Sequence, residues 1–487
     1  MKKTLLLIVI LITCISMVMM FLLVSCDKVG ILEKTTVESV TETSTGIAPE
    51  TTAKTTEAVA AEPIELEFFH SMTPGQTMDY QWLTEVLDSF MKENPNIKVI
   101  PTPTPGQELA QMMVAFMAAQ RGPDVLTFWE GLPIFAVNDY VLDFKDLLPS
   151  EKINAIDPGL LVTSSLNFDT NNKLLGIPFG GAGVGFWIYM YNKAMFTQAG
   201  IDFVPTPENN YRMTWDEYLD ACEKLKAIGI TPEGIGLAEG IRTGWYFDVI
   251  SYNYLQPGDW KKIATGEKPW TCPEYLESIT RLNELYKAGY FPEGALTLPR
   301  GEGYNLVKNK GAAMCLAWWG YNTKETYDEL GNDFGMMLPP VINPDNPLMD
   351  TLIVSAYERV IIPSWSKHPK EAAELAYYLI NAENSQKLYD MLGAFGVRSD
   401  FKPTFTDTGF DLFKKLGWEW LQTMPPEPSY QNVSWPAEVT YEMTGKSIEL
   451  YNGQINEKQY LEAIESRQEQ LNYPYQIWYK PPGEVSE

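Results

Sequence analysis

The chain has 487 residues, of which 45% are hydrophobic and 13% are aromatic, so it can bury large cores and is not disordered throughout. Its 63 acidic residues outnumber 37 Lys and Arg, giving a formal net charge of −26, and no basic cluster suited to nucleic acid is present. With two His, five Cys and neither C-x-x-C nor H-E-x-x-H spacing, the sequence predicts no zinc site, and we expect no metal and no cofactor.

The first 25 residues are a predicted export signal. Two lysines precede an apolar run over 5–24, which is followed by Ser25 and Cys26. The run is also long enough to be an uncleaved membrane anchor, which is the alternative. The stretch Leu23-Val24-Ser25-Cys26 resembles the lipobox of bacterial lipoproteins, which implies cleavage before Cys26 and lipidation of that residue. We therefore expect a lipid-anchored protein outside the cytoplasmic membrane, at the cell surface or in the periplasm.

The next stretch, 26–62, is rich in Thr, Glu and Ala and contains no aromatic residue. Because it cannot bury enough apolar surface to offset chain entropy, we expect a disordered tether between the lipid and the folded body. The remaining cysteines are Cys222, Cys272 and Cys315, an odd number at wide spacing. Buried thiols are the expected state, and a single disulfide is left open.

The folded body begins with a period-two pattern, in which Ile64, Leu66 and Phe68 alternate with Glu residues. A helix pattern follows and ends at Asn94-Pro95; a strand, a second helix and a third strand over 124–128 come next. This alternation predicts an α/β fold with mainly parallel sheets covered by helices. Farther along, Thr214-Trp215-Asp216-Glu217 has the spacing of a capping box.

A set of segments, in this order and at these intervals, covers roughly residues 63–400. The segments are LEFFHSM (66–72), NPNIKV (94–99), AAQRGPDV (118–125), KLLGIPF (173–179), YNKAMF (191–196), AGI (199–201), TWDEY (214–218), KGAAM (310–314), WWG (318–320), KEAA (370–373) and 393–398. Together they resemble the extracellular solute-binding proteins of ABC importers, in the family that captures sugars and oligosaccharides. The tail, with Trp418, Trp420 and Trp435-Pro436, matches less clearly.

The resemblance implies a two-lobed periplasmic-binding-protein fold of type II, whose lobes close around a solute. One lobe would comprise 63–178 and 361–398, and the other 181–354 and 403–487. The chain would cross between them near 178–181, 355–360 and 398–402. The glycine-rich run 180–185 suits such a crossing, because glycine tolerates large backbone changes. The alternative, a phosphate-binding loop, lacks a G-x-G-x-x-G register.

A sugar site needs flat aromatic side chains for the C–H faces and oriented polar groups for the hydroxyls. Trp129 and Glu130 follow a strand at its carboxyl end, where ligands of open α/β sheets lie, and they are the leading pair. His70 and Ser71 occupy the equivalent place after the first strand. The resemblance places a stacking ring at Trp318 and Trp319, and Trp245 and Tyr246 are similar candidates. At the expected crossings the candidates are Tyr357, Glu358 and Arg398. One of the adjacent rings Trp318 and Trp319 is expected to pack in the core, because neighbours on a strand point in opposite directions.

These observations predict a monomeric receptor that binds a sugar or oligosaccharide without altering it and delivers it to an ABC permease. We expect no enzymatic activity, since no carboxylate pair, G-x-S-x-G elbow or intact Walker motif is singled out by its surroundings. A surface glycoside hydrolase is the alternative of a different class. The same fold with a peptide or another polar solute as its ligand is the third interpretation.

Overall fold

The computed structural model describes residues 63–74, 77–129, 140–157, 173–264, 266–320, 322–428 and 437–471. All of these residues belong to one unit, Ala61–Glu487. The predicted export signal and tether, including Cys26, lie outside the described residues. In the part of the chain that is described, no helix combines the length and the apolar character needed to span a bilayer.

The strands of the described residues form a single connected sheet. They are β1 (Ile64–His70), β2 (Ile97–Pro103), β3 (Val125–Trp129), β4 (Ile177–Asn192), β5 (Thr231–Glu233), β6 (Ala312–Trp318), β7 (Phe334–Met337), β8 (Leu352–Ile361) and β9 (Pro426–Pro428). The strand order is β2-β1-β3-β8-β4-β6-β5, with β7 paired to β4 and β9 paired to β8.

Helices connect and cover these strands. They are α1 (Thr77–Glu93), α2 (Gly106–Ala119), α3 (Phe144–Leu147), α4 (Ser150–Asn154), α5 (Lys193–Gln198), α6 (Trp215–Ala227), α7 (Ile241–Ser251), α8 (Asp259–Ala264), α9 (Pro273–Lys287), α10 (Arg300–Lys308), α11 (Thr323–Leu330), α12 (Pro369–Leu379), α13 (Ala382–Leu392), α14 (Asp411–Thr423), α15 (Ala437–Tyr451) and α16 (Glu457–Leu471). The predicted α/β class is confirmed.

The sheet is mixed rather than mainly parallel. β1 is parallel to both β2 and β3, and β5 is parallel to β6, as the alternation of strands and helices predicts. In contrast, β8 is antiparallel to β3 and β4, and β4 is antiparallel to β6 and β7. The difference arises because β4 and β8 lie in the middle of the strand order, between the two groups of parallel strands.

These two central strands are long, and each pairs with different neighbours along its length. Near its start β4 pairs with the end of β8, as in Ile177 opposite Val360. After a register shift between Phe179 and Val184, β4 pairs with the first half of β8. The second half of β4 pairs with β6 and β7. The irregular pairing coincides with the glycine-rich run 180–185.

Local sequence signals explain several of these elements. On β1 the predicted alternation is confirmed, with Leu66 and Phe68 buried while Glu65 and Glu67 are exposed. The predicted capping box of α6 is also formed: the Glu217 backbone N–H donates to Thr214 Oγ1 at 3.3 Å, and the Thr214 N–H donates to Glu217 Oε2 at 2.8 Å. Each bond satisfies a backbone donor at the helix start or just before it.

The C-terminal tail, whose sequence matches the family less clearly, packs against the same core. Trp420 of α14 is buried, and its ring packs edge-on against Phe186 of β4 with the centroids 6.0 Å apart. The short β9 adds a parallel strand beside the start of β8. The three cysteines Cys222, Cys272 and Cys315 are buried free thiols, as expected from their spacing.

Candidate ligand-binding site

The first group of candidate residues lies at the ends of neighbouring strands. Ser71, directly after β1, donates a backbone N–H to Thr127 Oγ1 on β3 at 3.1 Å. Its hydroxyl donates to Glu358 Oε1 on β8. Glu358 is in turn the register partner of Trp129 on one side and of Phe179 on the other. Folding therefore brings Ser71, Glu358 and the backbone of Trp129 together, as the sequence could not show.

Burial shifts the pKa values of Glu358 and His70. Desolvation raises the pKa of Glu358 to about 7, against the opposing effects of its hydrogen bonds to Ser71 and Thr127 and the charge of Arg359. The second carboxylate oxygen, Oε2, is buried and has no hydrogen-bond partner among the described residues. The adjacent His70 is buried as well, and desolvation lowers its pKa to about 4, so its imidazole is neutral at pH 7.

Asp79 in the first turn of α1 is a residue that the sequence reasoning missed. Its Oδ1 is buried without a partner in the described part of the chain. Burial, followed by the charges of Glu358 and Glu325, raises its pKa well above the usual range for an aspartate. A signal was available, because Asp79 follows the same loop that made His70 and Ser71 candidates.

Asp79 borders a small cavity that three separate stretches of the chain enclose. The lining residues are Met78 and Asp79 of α1, Gly320 and Asn322 after β6, Lys324 and Glu325 of α11, and Leu392 of α13. The cavity measures about 20 Å³, enough for about one water molecule. A sugar ring is larger, so it could enter only after the stretches that line the cavity move apart.

The second group of candidates is a cluster of three indoles. Trp318 at the end of β6 packs edge-on against Trp187 of β4, with the centroids 4.8 Å apart and an angle of 82° between the rings. Trp245 of α7 lies 5.4 Å from Trp187. Gly185 allows this packing, because a Cβ at that position would overlap the Trp318 indole. The Nε1 atoms of Trp187 and Trp318 are buried and have no acceptor among the described residues.

Trp319 and Tyr246 lie in the core. Trp319 is stacked between aromatic rings, with Phe186 at 5.7 Å and 2° and Phe410 at 5.7 Å and 9°. It is therefore fully buried, and the adjacent Trp318 is also nearly buried, at 4% exposure. Tyr246 donates its hydroxyl to Glu233 Oε2 at 2.7 Å and accepts from the Leu316 N–H at 3.2 Å. Its hydroxyl is therefore already hydrogen-bonded, both as donor and as acceptor, to buried groups of the protein.

Arg398 is engaged in a local ion pair rather than with either group. Its guanidinium donates to both carboxylate oxygens of Asp400, at 2.7 and 2.6 Å, and to the Tyr377 hydroxyl at 2.7 Å. These bonds raise the pKa of Arg398, Asp400 being the largest cause. The ion pair uses Nε and Nη2 and the Tyr377 hydroxyl uses Nη1, which leaves little capacity for a ligand.

Some candidates lie outside what the structure describes. Glu130 is among the residues that are not described. Trp129 and Tyr357 are described in their strands, β3 and β8, but their side chains are not. Within the described ranges, no group of three or more His, Cys, Asp or Glu side chains is placed to hold a metal ion.

Comparisons with known proteins identify what this arrangement is similar to. A family model described as "Bacterial extracellular solute-binding protein" matches residues 71–386. An uncharacterized ABC transporter extracellular-binding protein of Pyrococcus horikoshii is 25% identical over 350 residues, which cover 70% of this chain and 74% of that protein. A multiple sugar-binding protein of Streptococcus mutans is 22% identical over 373 residues, covering 70% and 77%.

The fold has close counterparts among solved structures. A chitin oligosaccharide binding protein superposes with a TM-score of 0.71 at 20% sequence identity, covering 84% of this chain and 99% of that one. At this level of identity the likeness concerns the fold. The predicted two-lobed class of binding-protein fold is thereby confirmed.

Proposed function

The chain belongs to the bacterial extracellular solute-binding protein family, and from this premise we propose that it captures a sugar or oligosaccharide and delivers it to an ABC permease. Members of the family act outside the cytoplasmic membrane and are binding proteins rather than enzymes. The observation that carries the choice of a sugar is that Asp79 and Glu358 each have a buried carboxylate oxygen, and Trp187 and Trp318 each a buried indole N–H, without a hydrogen-bond partner among the described residues.

This combination suits a polyhydroxylated ring. Hydroxyl groups donate to carboxylate oxygens, and each bond made in a desolvated site relieves the cost of a buried acceptor without a partner. An indole offers an apolar face to the C–H groups of the ring and an N–H donor at its edge. The printed names of the Streptococcus mutans relative and of the superposed structure both refer to sugars, which supports the same choice.

Closure of two lobes is part of the proposal. We place the lobes at 63–178 with 361–398 and at 181–354 with 403–487. The irregular β4–β8 pairing between Phe179 and Val184 supports a flexible crossing there. The cavity at Asp79, which is too small for a sugar, supports a cycle in which the lobes open to admit the solute and close on it. Only contacts made in the closed form shift that equilibrium.

The remaining parts of the proposal concern location and partners. Lipidation at Cys26 would hold the protein at the membrane surface, and 26–62 would supply the reach to a permease. We propose that the mature protein is a monomer and does not change its ligand chemically. Release of reducing ends from a mixture of oligosaccharides would instead support the hydrolase alternative.

A thermal-shift screen over neutral mono- and oligosaccharides is the first test, because a ligand that binds the native state raises its apparent stability. Calorimetry with a sugar found in this way then tests the site. We expect Trp318→Ala, Asp79→Asn, Trp129→Ala and Glu130→Ala each to weaken binding about tenfold or more, as loss of a ring face or a charged acceptor removes about 1–3 kcal/mol.

Asp220→Asn is the matched control, since Asp220 is an exposed acid paired with Lys224 on α6. It should leave the affinity unchanged. Wild-type affinity in all four site variants would contradict the site, and the absence of any thermal shift with the whole sugar panel would contradict the choice of a sugar.

A further inference from the structure

A second cavity borders Trp187 of the indole cluster and is lined by a buried arginine. Arg212 is 8% exposed and follows a tight turn in which Asn210 and Tyr211 both have positive φ, 50° and 58°. Backbone bonds fix this loop to the stretch after β7, from the Leu338 N–H to the Tyr211 carbonyl at 2.8 Å and from the Val341 N–H to the Met213 carbonyl at 2.9 Å. The loop thus holds the Arg212 side chain inside the protein.

The guanidinium of Arg212 has only weak or neutral partners. Its Nε donates to the Asn210 carbonyl at 3.3 Å, and its Nη1 approaches the Met349 sulfur at 3.8 Å. A thioether is a poor acceptor. Asp350 attracts the charge from a distance but forms no ion pair with it in the described structure, and its own side chain is exposed.

Such an arrangement is costly for a folded protein. Buried charges are ordinarily paired, because neither a carbonyl nor a sulfur replaces the hydration that a guanidinium loses. Desolvation accordingly lowers the pKa of Arg212 to about 10, with Asp350 opposing the shift. The residue remains charged at pH 7 and has no counterion within hydrogen-bond distance among the described residues.

The adjoining cavity offers hydrogen-bond donors and apolar walls but no carboxylate. It measures about 20 Å³ and is lined by Trp187, Arg212, Asn253, Pro339, Met349 and Thr351, among others, none of them acidic. The polar groups of Asn253 and Thr351 are already used: Asn253 Oδ1 accepts from the Ile342 N–H, Asn253 Nδ2 donates to the Ile250 carbonyl, and the Thr351 hydroxyl donates to the Leu348 carbonyl. Trp187, in contrast, has an indole N–H that is buried without an acceptor.

We propose that this cavity is an anion-binding site, in which Arg212 and the Trp187 indole hold a small monovalent anion. The volume suits a halide ion or a single carboxylate group. The anion supplies the missing counterion of Arg212 and accepts the hydrogen bonds that the protein leaves unmade. The carboxylate could come from a free ion or from an acidic sugar, because Trp187 also belongs to the indole cluster of the proposed sugar site.

Thermal unfolding of the full mature chain tests this inference. The midpoint is measured with sodium chloride or sodium formate against sodium isethionate at the same ionic strength, since isethionate is too large for the cavity and carries no carboxylate. We expect chloride or formate to raise the wild-type midpoint by about 2 °C or more at saturation, since an anion that binds only the native state stabilises it. In a third comparison the midpoint is measured with galacturonate and with galactose. A higher midpoint with galacturonate would show that the carboxylate of a sugar acid occupies the site.

Variants assign the effect to the cavity. Arg212→Met replaces the guanidinium with an apolar side chain that fits among Met349 and Pro339, and it should lose the anion response. Arg281→Met, at a surface arginine paired with Glu277, should keep it. An anion response that survives in Arg212→Met, or no response to any of the three anions in the wild type, overturns the proposal.

Crystals of the wild-type protein soaked in bromide provide a measurement that does not depend on a variant. An anomalous peak within hydrogen-bond distance of the Arg212 guanidinium supports the site, whereas an empty cavity together with a flat thermal response refutes it. A response to galacturonate alone, absent in Arg212→Met, assigns the site to an acidic solute. Binding of neutral sugars is independent of these results, so failure here leaves the proposed function standing.

Discussion

Glu233 illustrates how a single buried carboxyl group couples stability to pH. It accepts hydrogen bonds from Tyr218 at 2.5 Å and Tyr246 at 2.7 Å, yet desolvation dominates and raises its pKa from 4.5 to about 7. A folded-state pKa above the unfolded value means that the native state holds the proton more tightly. The stabilisation is complete below pH 4.5 and is lost as the pH rises through 7.

We expect Glu233→Gln to flatten the pH dependence of stability. The shift of Glu233 corresponds to about 3 kcal/mol between pH 4.5 and pH 8, at 1.36 kcal/mol for each unit of pKa. Urea unfolding at pH 5, 6, 7 and 8 measures it. The wild type should lose more stability than the variant over this range, because an amide does not titrate.

The shifted pKa values of His70 and Glu358 also make the stability depend on pH. The lowered pKa of His70 favours the native state as the pH rises between about 4 and 6.5, whereas Glu358 acts in the same direction as Glu233. The comparison therefore uses the difference between the variant and the wild type, in which both residues cancel. Parallel curves for the two proteins would show that Glu233 is ionised in the native state at all these pH values.

At the scale of the element, the start of α6 depends on one hydroxyl. Thr214 accepts the Glu217 N–H and anchors the reciprocal bond of the capping box. We expect Thr214→Ala to lower the free energy of unfolding by about 1 kcal/mol, as an unsatisfied helix N–H then remains. Denaturant unfolding at pH 7 is the measurement, and Thr197→Ala on the exposed face of α5 is the control, with no comparable loss expected. Equal losses in the two variants would exclude a capping contribution.

The packing of β4 against β6 supplies a second test, which separates stability from binding. A methyl group at Gly185 would overlap Trp318, and one at Gly335 would overlap Tyr191 in β4. We expect Gly185→Ala and Gly335→Ala each to destabilise the fold by about 1–3 kcal/mol, as overpacking does. Calorimetry should show weaker sugar binding for Gly185→Ala alone, because only that variant displaces a proposed ligand residue. Equal affinity of the two variants would remove Trp318 from the site.

Element positions were the most predictable level of the fold. The alternation of Leu66 and Phe68 with charged residues predicts β1, and the spacing of Thr214 and Glu217 predicts the start of α6, because both signals are local. The mixed direction of the sheet was not predictable in this way. The pairing of Trp129 with Glu358 joins residues far apart in sequence, and register of this kind is set by tertiary packing.

The candidate site was predictable only in part for the same reason. Ser71 and Glu358 were singled out separately, by a strand end and by an expected crossing, and only the fold shows that one donates to the other. Asp79 was missed although it follows the loop after β1, because its burial depends on residues far away in the sequence, such as Glu325 and Leu392. The core position of Trp319 follows from its stacking on Phe186 and Phe410, two partners that no local pattern connects with it.

At the scale of the whole molecule, the proposed lobe closure has a direct consequence in solution. A sugar identified by the thermal screen should reduce the radius of gyration measured by small-angle X-ray scattering, since only a closed form contacts the solute from both sides. The Trp318→Ala variant should show a smaller decrease in the radius of gyration when the sugar concentration saturates the wild type but not the variant. An identical scattering profile with and without the sugar would argue for a rigid body.

The central position of β8 also determines when the protein can complete its fold. In the chain, β1, β2, β3 and β4 all precede Leu352–Ile361, so until β8 docks, β3 lacks its antiparallel neighbour and β4 lacks one of its partners. Contacts of such high sequence separation make folding slow, because loop closure is costly before they form. A chain that ends before β8 therefore cannot assemble this sheet, and only the docking of β8 joins β3 to β4.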